Sequence, residues 1–121
     1  MRRRRYTLFL RDILEAIGRI ERFVGDRDFQ AFAGDELLMS AVIRQLEIIG
    51  EAAKNLPEEV KGRHSQIPWS LMARMRDRLA HGYWTVDPEI LWGVIQEELP
   101  SLKPRLAEIL WWEEQREGNG P

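Results

Sequence analysis

Apolar residues recur along this chain at steps of three and four, the period of helices that bury one face. Tyr6, Phe9, Ile13, Ile17, Ile20 and Val24 form one such stripe and predict a first helix of about five turns, stopped by Gly25-Asp26. A short turn, or a short helix, comes next through Phe29 and Phe32. Gly34-Asp35 then reads as a stop followed by an N-cap. Leu38, Val42, Ile43, Leu46, Ile49, Ala53 and Leu56 mark a second helix, closed or kinked by Pro57. Residues 57–68 are polar and read mainly as a connection, with Pro68 placed for an early helical position. Leu71, Met72, Met75 and Leu79 predict a third helix, with Leu71, Met75 and Leu79 as its buried direction and Gly82 as its stop. Asp87-Pro88-Glu89 is a start signal: a cap, a pre-set φ, then an acid at the positive helix end. Ile90, Leu91, Val94 and Ile95 carry a fourth helix. Pro100 and Pro104 break or kink the chain beyond it, and Leu106, Ile109, Leu110 and Trp112 carry a last helix. No strand pattern competes and no internal repeat occurs. The fold class is all-α, a four- to five-helix up-down bundle in one domain over residues 1–117, with a disordered tail at 118–121.

The 121 residues suffice for one independent core. The absence of cysteine excludes disulfides and thiolate metal sites and is compatible with a reducing, cytoplasmic setting. No apolar run approaches the roughly 20 residues that cross a bilayer, and no continuous apolar segment succeeds the basic start as in a secretory signal. The net charge of −2 is unevenly spread. Residues 63–83 hold four Arg and both histidines against one Asp, while residues 85–121 hold eight acids against three bases. A basic island in an acidic chain reads either as an anion site or as a solvated, arginine-rich helix face.

That island contains Arg74-Met75-Arg76-Asp77-Arg78-Leu79-Ala80-His81-Gly82-Tyr83-Trp84. Asp77 and His81 are four apart and share a helix face, so the carboxylate can accept from the imidazole, set its tautomer and raise its pKa. Arg76 and His81 are five apart, roughly 140° around the axis. They converge only at a frayed helix end or across an interface with a second copy. RNA cleavage through the 2′-OH calls for a base, an acid and a cation at the phosphate; two chains around a twofold axis offer two histidines and two arginines in one cleft. The alternative for His81 alone is a C-terminal histidine interacting with the helix dipole. Arg74 and Arg78 are candidate RNA contacts. His64 reads as exposed in a polar connection, and the histidine spacing is poor for a metal site. The tryptophans at 69, 84, 92, 111 and 112 fit core packing better than base stacking. Arg2 to Arg5 reads either as a phosphate contact or as a disordered basic end.

The segment Arg76-Asp77-Arg78-Leu79-Ala80-His81, continued to Tyr83, resembles the signature of HEPN proteins in the tighter form of the HepT family. Ile49-Gly50-Glu51-Ala52-Ala53-Lys54 resembles that family's second-helix segment, and Ile67-Pro68-Trp69 its entry to the motif helix. Val86-Asp87, Ile90 to Trp92 and Leu99-Pro100-Ser101-Leu102 resemble its closing helices. The resemblance implies a helical homodimer with the motif at the dimer cleft. It implies a metal-independent, cofactor-free endoribonuclease acting on mRNA or tRNA, with Arg76 and His81 catalytic and Asp77 as polar helper. It further implies the toxin of a type VII toxin–antitoxin pair, silenced when an MntA-like nucleotidyltransferase moves AMP from ATP to Tyr83. An apolar stripe of the first or second helix, near the motif, is the expected interface. A rival reading is a non-catalytic helical partner that presents the Arg76/His81 cleft to nucleotide beside a nucleotidyltransferase; a third is a bare oligomeric scaffold.

Overall fold

The computed structural model describes residues 5–81 and 87–118, the side chains of Ala80 and His81 excepted. Every element among them is helical. Helix α1 spans Tyr6–Val24 and ends at Gly25, whose φ of 57° is open to glycine at no steric cost. Asp28 caps the short α2, Phe29–Ala33, and Asp35 caps α3, Glu36–Asn55, each by accepting a backbone N–H three residues on. Leu56, extended before Pro57, closes α3. The stretch expected to be a connection contains a further helix, α4, Glu58–Arg63, with two acids in its first turn and Lys61 and Arg63 in its last. Helix α5 is Trp69–His81. Asp87 caps α6, Pro88–Gly93, and Pro88 sits in its first turn.

No break occurs at Pro100 or Pro104. From α6 the chain runs through a π-helical turn, Val94–Glu98, straight into α7, Leu99–Gly118, with Pro104 inside the helix. Leu99 donates its N–H to the Val94 carbonyl five residues back. This wider winding ends just before Pro100, which has no N–H of its own and whose ring crowds the preceding turn. One helical unit therefore replaces the two that the prolines suggest.

The core lies where α1, α3 and α7 meet, floored by Leu10, Ile13, Ile17, Ile20, Val42, Leu46, Leu106 and Ile109. Phe32 is fully buried and, with Phe29, packs on Trp92. Trp69 is buried and donates its indole N–H to the His64 carbonyl at 3.0 Å. Trp111 and Trp112 are exposed, so the core assignment holds for only part of the tryptophans; Trp84 lies outside the described residues.

At one end of the bundle a carboxylate is sealed in the core. Glu113 of α7 is 0 % exposed. Arg63 donates to it twice, Nε to Oε2 at 3.1 Å and Nη2 to Oε1 at 2.9 Å. The Tyr6 hydroxyl donates to Oε1 at 3.0 Å, and His64 Nε2 lies 2.6 Å from Oε2. His64 is therefore largely buried and bonded, not exposed; its ring also meets the edge of Trp112. Burial pushes the Glu113 carboxyl up, but the bonds from Arg63, His64 and Tyr6 outweigh it and hold the carboxyl below its ordinary value. Burial, then the bond to Glu113, pushes the Tyr6 phenol up to about 12. Thr7 donating to Glu117 at 2.5 Å and Arg11 paired with Glu114 extend the clasp along α1 and α7.

Candidate active site

Helix α5 packs against α3 where Met72 and Arg76 face Gly50. Leu71, expected in the buried direction, is 59 % exposed. The helix has two apolar sides: one meets α3, and Leu71 belongs to the other, which faces an open groove. At the crossing with α3 the backbones approach so closely that a Cβ on Gly50 would lie 2.2 Å from the Arg76 Cβ and 2.6 Å from the Met72 carbonyl oxygen. Only glycine fits there, and its absence of a side chain sets how deep the stem of Arg76 sits.

Arg76 is one-third exposed, and its guanidinium is held on two edges. Nε lies 2.8 Å from Glu51 Oε2, and Nη1 lies 3.3 Å from Asp77 Oδ1. Lys54 Nζ stands 3.8 Å from the same Asp77 oxygen. Glu51, Arg76, Asp77 and Lys54 thus alternate in sign around the α3–α5 crossing. Beside them a polar groove of about 380 Å³ runs between α1 and α3, lined by Phe9, Asp12, Arg44, Glu47, Asn55 and Arg76 among others.

The structure brings Arg76 and Asp77 together. His81 is the last residue of α5, but its side chain and the whole of Tyr83 lie outside the described residues, as does the expected Asp77–His81 contact. Arg74 and Arg78 do not join Arg76. Each is two residues from it, about 200° around the helix. They line a different groove, about 580 Å³, with Leu71, Met75, Leu79 and Val94 in its floor and Asp87 and Glu98 opposite. Residues 1–4, with most of the Arg2–Arg5 run, lie outside the described residues. Among the described residues no group of three or more acidic or histidine side chains stands close enough to hold a metal ion, and no helix is long and apolar enough to cross a membrane.

Sequence reasoning passed over Glu51 as the partner of Arg76. The available signal was Gly50: an isolated glycine inside a strong helical pattern costs stability unless something approaches it closely. The residue after such a contact point is a natural candidate to reach the neighbouring helix.

Residues 13–109 match the family model described as Ribonuclease HepT-like. The chain belongs to the HepT-like ribonuclease family. Its HepT-like relatives include the probable ribonuclease HepT of Thermococcus cleftensis, 47 % identical over 88 % of this chain and 97 % of the relative. A candidate RNase of Methanocaldococcus jannaschii is 43 % identical over 84 % of each chain. Another, from Caldanaerobacter subterraneus, is 47 % identical over 75 % of this chain and 80 % of its own. No solved structure matches. The matched span of the HepT-like model covers both α3, with Gly50 and Glu51, and α5, with the Arg76-to-His81 segment.

Proposed function

We propose that this HepT-like protein is a metal-independent endoribonuclease, the toxin of a toxin–antitoxin pair, acting at a cleft shared by two copies. The observation that carries the reading is Arg76: a half-buried guanidinium, aligned by two carboxylates, within the motif of a chain whose relatives are named as ribonucleases. The 2′-hydroxyl oxygen attacks the adjacent phosphorus as a base takes its proton. The bond from phosphorus to the 5′-oxygen breaks, and an acid protonates that oxygen. The products are a 2′,3′-cyclic phosphate and a free 5′-hydroxyl. Arg76 stabilises the crowded phosphate, and His81 and its counterpart in the second copy serve as base and acid, with Asp77 orienting. The second copy supplies what the 140° offset between Arg76 and His81 withholds in one helix. The main stripes of α1 and α3 are buried inside the core, but beside Arg76 the same helices offer Phe9 and Ile48 in the wall of its groove and Leu8 exposed on α1, a surface suited to pairing next to the motif. RNA of either the messenger or the transfer class fits this chemistry.

An oligoribonucleotide should be cleaved at an undiminished rate in excess EDTA, while its 2′-deoxy counterpart should survive. Activity lost in EDTA and restored by a divalent ion, or equal cutting of the deoxy strand, would overturn the reading.

Tyr83 is the proposed point of control. Its phenol oxygen attacks the α-phosphorus of ATP on a cognate nucleotidyltransferase. Pyrophosphate leaves, the phenol proton is lost, and a tyrosyl-AMP phosphodiester remains. The added negative charge beside the cleft repels RNA and competes for Arg76. Tyr83→Phe should keep its ribonuclease activity yet escape silencing. Intact-mass measurement after incubation with ATP and the transferase should show AMP added to the parent alone; equal mass gain in Tyr83→Phe would place the switch elsewhere.

A further inference from the structure

Resting on that reading of Arg76, we propose that Glu51 is a positioning residue for the reaction: it holds the Nε edge of Arg76 so that the opposite edge of the guanidinium is presented to the substrate phosphate. Two independent features place it there. The first is the 2.8 Å contact between Glu51 Oε2 and Arg76 Nε, made from the neighbouring helix and not from the chain around the motif. The second is the glycine directly before it. Gly50 lets the Arg76 Cβ and the Met72 carbonyl come within the space a side chain would fill, so the base of Arg76 sits close on α3 and its Nε comes within reach of Glu51.

Donor arithmetic makes this arrangement productive and not inhibitory. A guanidinium has five N–H groups in a rigid fork. Glu51 stands against Nε as an ion pair at 2.8 Å, and Asp77 accepts one N–H of Nη1 at 3.3 Å. One N–H on Nη1 and two on Nη2 remain, which is the edge that grips two phosphate oxygens in parallel. Asp77 takes one Nη1 N–H and leaves both on Nη2 open, and Glu51, standing against Nε, aims that open side of the fork at the phosphate. Arg76 is one-third exposed and Glu51 half exposed, so the pair contributes little to overall stability and removing it leaves the fold intact.

Three roles for Glu51 predict different results. A positioning residue needs an acceptor, which an amide oxygen supplies. An acid or base needs a titrating carboxyl, which an amide does not supply. A purely structural residue shifts melting temperature with activity. Steady-state cleavage of a mixed-sequence oligoribonucleotide is measured for the parent, Glu51→Gln, Glu51→Ala and Arg76→Ala, with thermal melts of each. Glu51→Ala should lose about 10- to 100-fold in kcat, the scale of a slightly misplaced group, with melting temperature nearly unchanged. Glu51→Gln should recover most of that kcat with the parent pH profile, and its KM should fall because a negative charge has left the cleft. Loss in Glu51→Gln as large as in Glu51→Ala, or a changed pH profile, would overturn positioning in favour of proton transfer. Parent-like kcat in Glu51→Ala beside an inactive Arg76→Ala would overturn the inference alone. Full activity in Arg76→Ala would overturn the reading of the site beneath it.

Discussion

Arg76→Ala and His81→Ala should each remove nearly all cleavage of RNA while leaving the helical bundle folded. General acid–base catalysis by a histidine is worth about 10² to 10⁴ in rate, and a cation at a phosphate that gains charge in the transition state acts on a similar scale. Truncating a partly exposed side chain at a helix surface changes stability little, and the Arg76 guanidinium is bonded only to side chains that are themselves half exposed. Circular dichroism melts within a few degrees of the parent, beside turnover reduced at least a hundredfold, are the expected pair of results. Mixing the two inactive variants adds a sharper test. The mixed dimer holds one Arg76 and one His81; if one cleft draws its base and its acid from the histidines of the two copies, it should stay inactive, and recovered activity would show that one histidine suffices. Parent-rate cleavage by both Arg76→Ala and His81→Ala would show that the cutting does not come from this cleft, and would favour a non-catalytic partner of a nucleotidyltransferase.

The largest effect on stability should come from Glu113→Ala. Its carboxylate is wholly buried and takes donors from Tyr6 of α1, Arg63 of α4 and the adjoining His64. Removing it leaves the Arg63 guanidinium without its counter-charge and His64 and Tyr6 without their partner. Breaking a buried ion pair by removing one partner costs about 3 kcal/mol or more, equivalent to roughly 10 °C in melting temperature for a domain of this size. An unchanged melt would show that the cluster relaxes without cost. The pH response has the same origin. The folded state holds the Glu113 carboxyl below its ordinary value, so this stabilisation is complete above the usual carboxylate range and is lost as pH falls through the folded value. The Tyr6 phenol is raised from 10.0 to about 12, so its contribution is complete below pH 10.0 and is lost as pH rises toward 12. Denaturant midpoints measured across pH should therefore decline at both ends, and Tyr6→Phe should flatten the alkaline decline.

Much of this architecture is legible in the chain, because its helix signals are local. Asp35, Pro57 and Asp87 act on backbone groups within three residues, and they bound helices where expected. Pro100 misleads for a related reason. The rule that proline breaks a helix assumes regular α winding before it, and one π turn relieves the clash. Leu71 and Met72 are adjacent apolar residues, and periodicity alone does not decide which of them meets α3. That choice depends on the glycine gap on α3, a property of the other helix. Glu113 stands in the register of the buried stripe of Leu106 and Ile109. A carboxylate there calls for buried donors, but nothing local names Arg63 and His64 as its partners some fifty residues away. The Arg76-to-His81 segment is visible as a motif; the Glu51 contact is not, since it depends on the crossing of two helices.

The Glu113 clasp also bears on the order in which the chain matures. Tyr6 and Glu113 are separated by 107 residues, and Thr7 and Glu117 by 110. These are among the most non-local contacts the chain can make. On the ribosome, α1, α3 and α5 emerge before α7 exists, so α1 must wait with one flank of its apolar surface uncovered. Closing so long a loop is entropically slow, and the pairing of first helix with last is the step that native contacts reward latest. The motif helix is synthesised some thirty residues before the carboxylate that locks the bundle. A chain cut short ahead of Glu113 would carry Arg76 and His81 without the clasp that joins α1, α4 and α7.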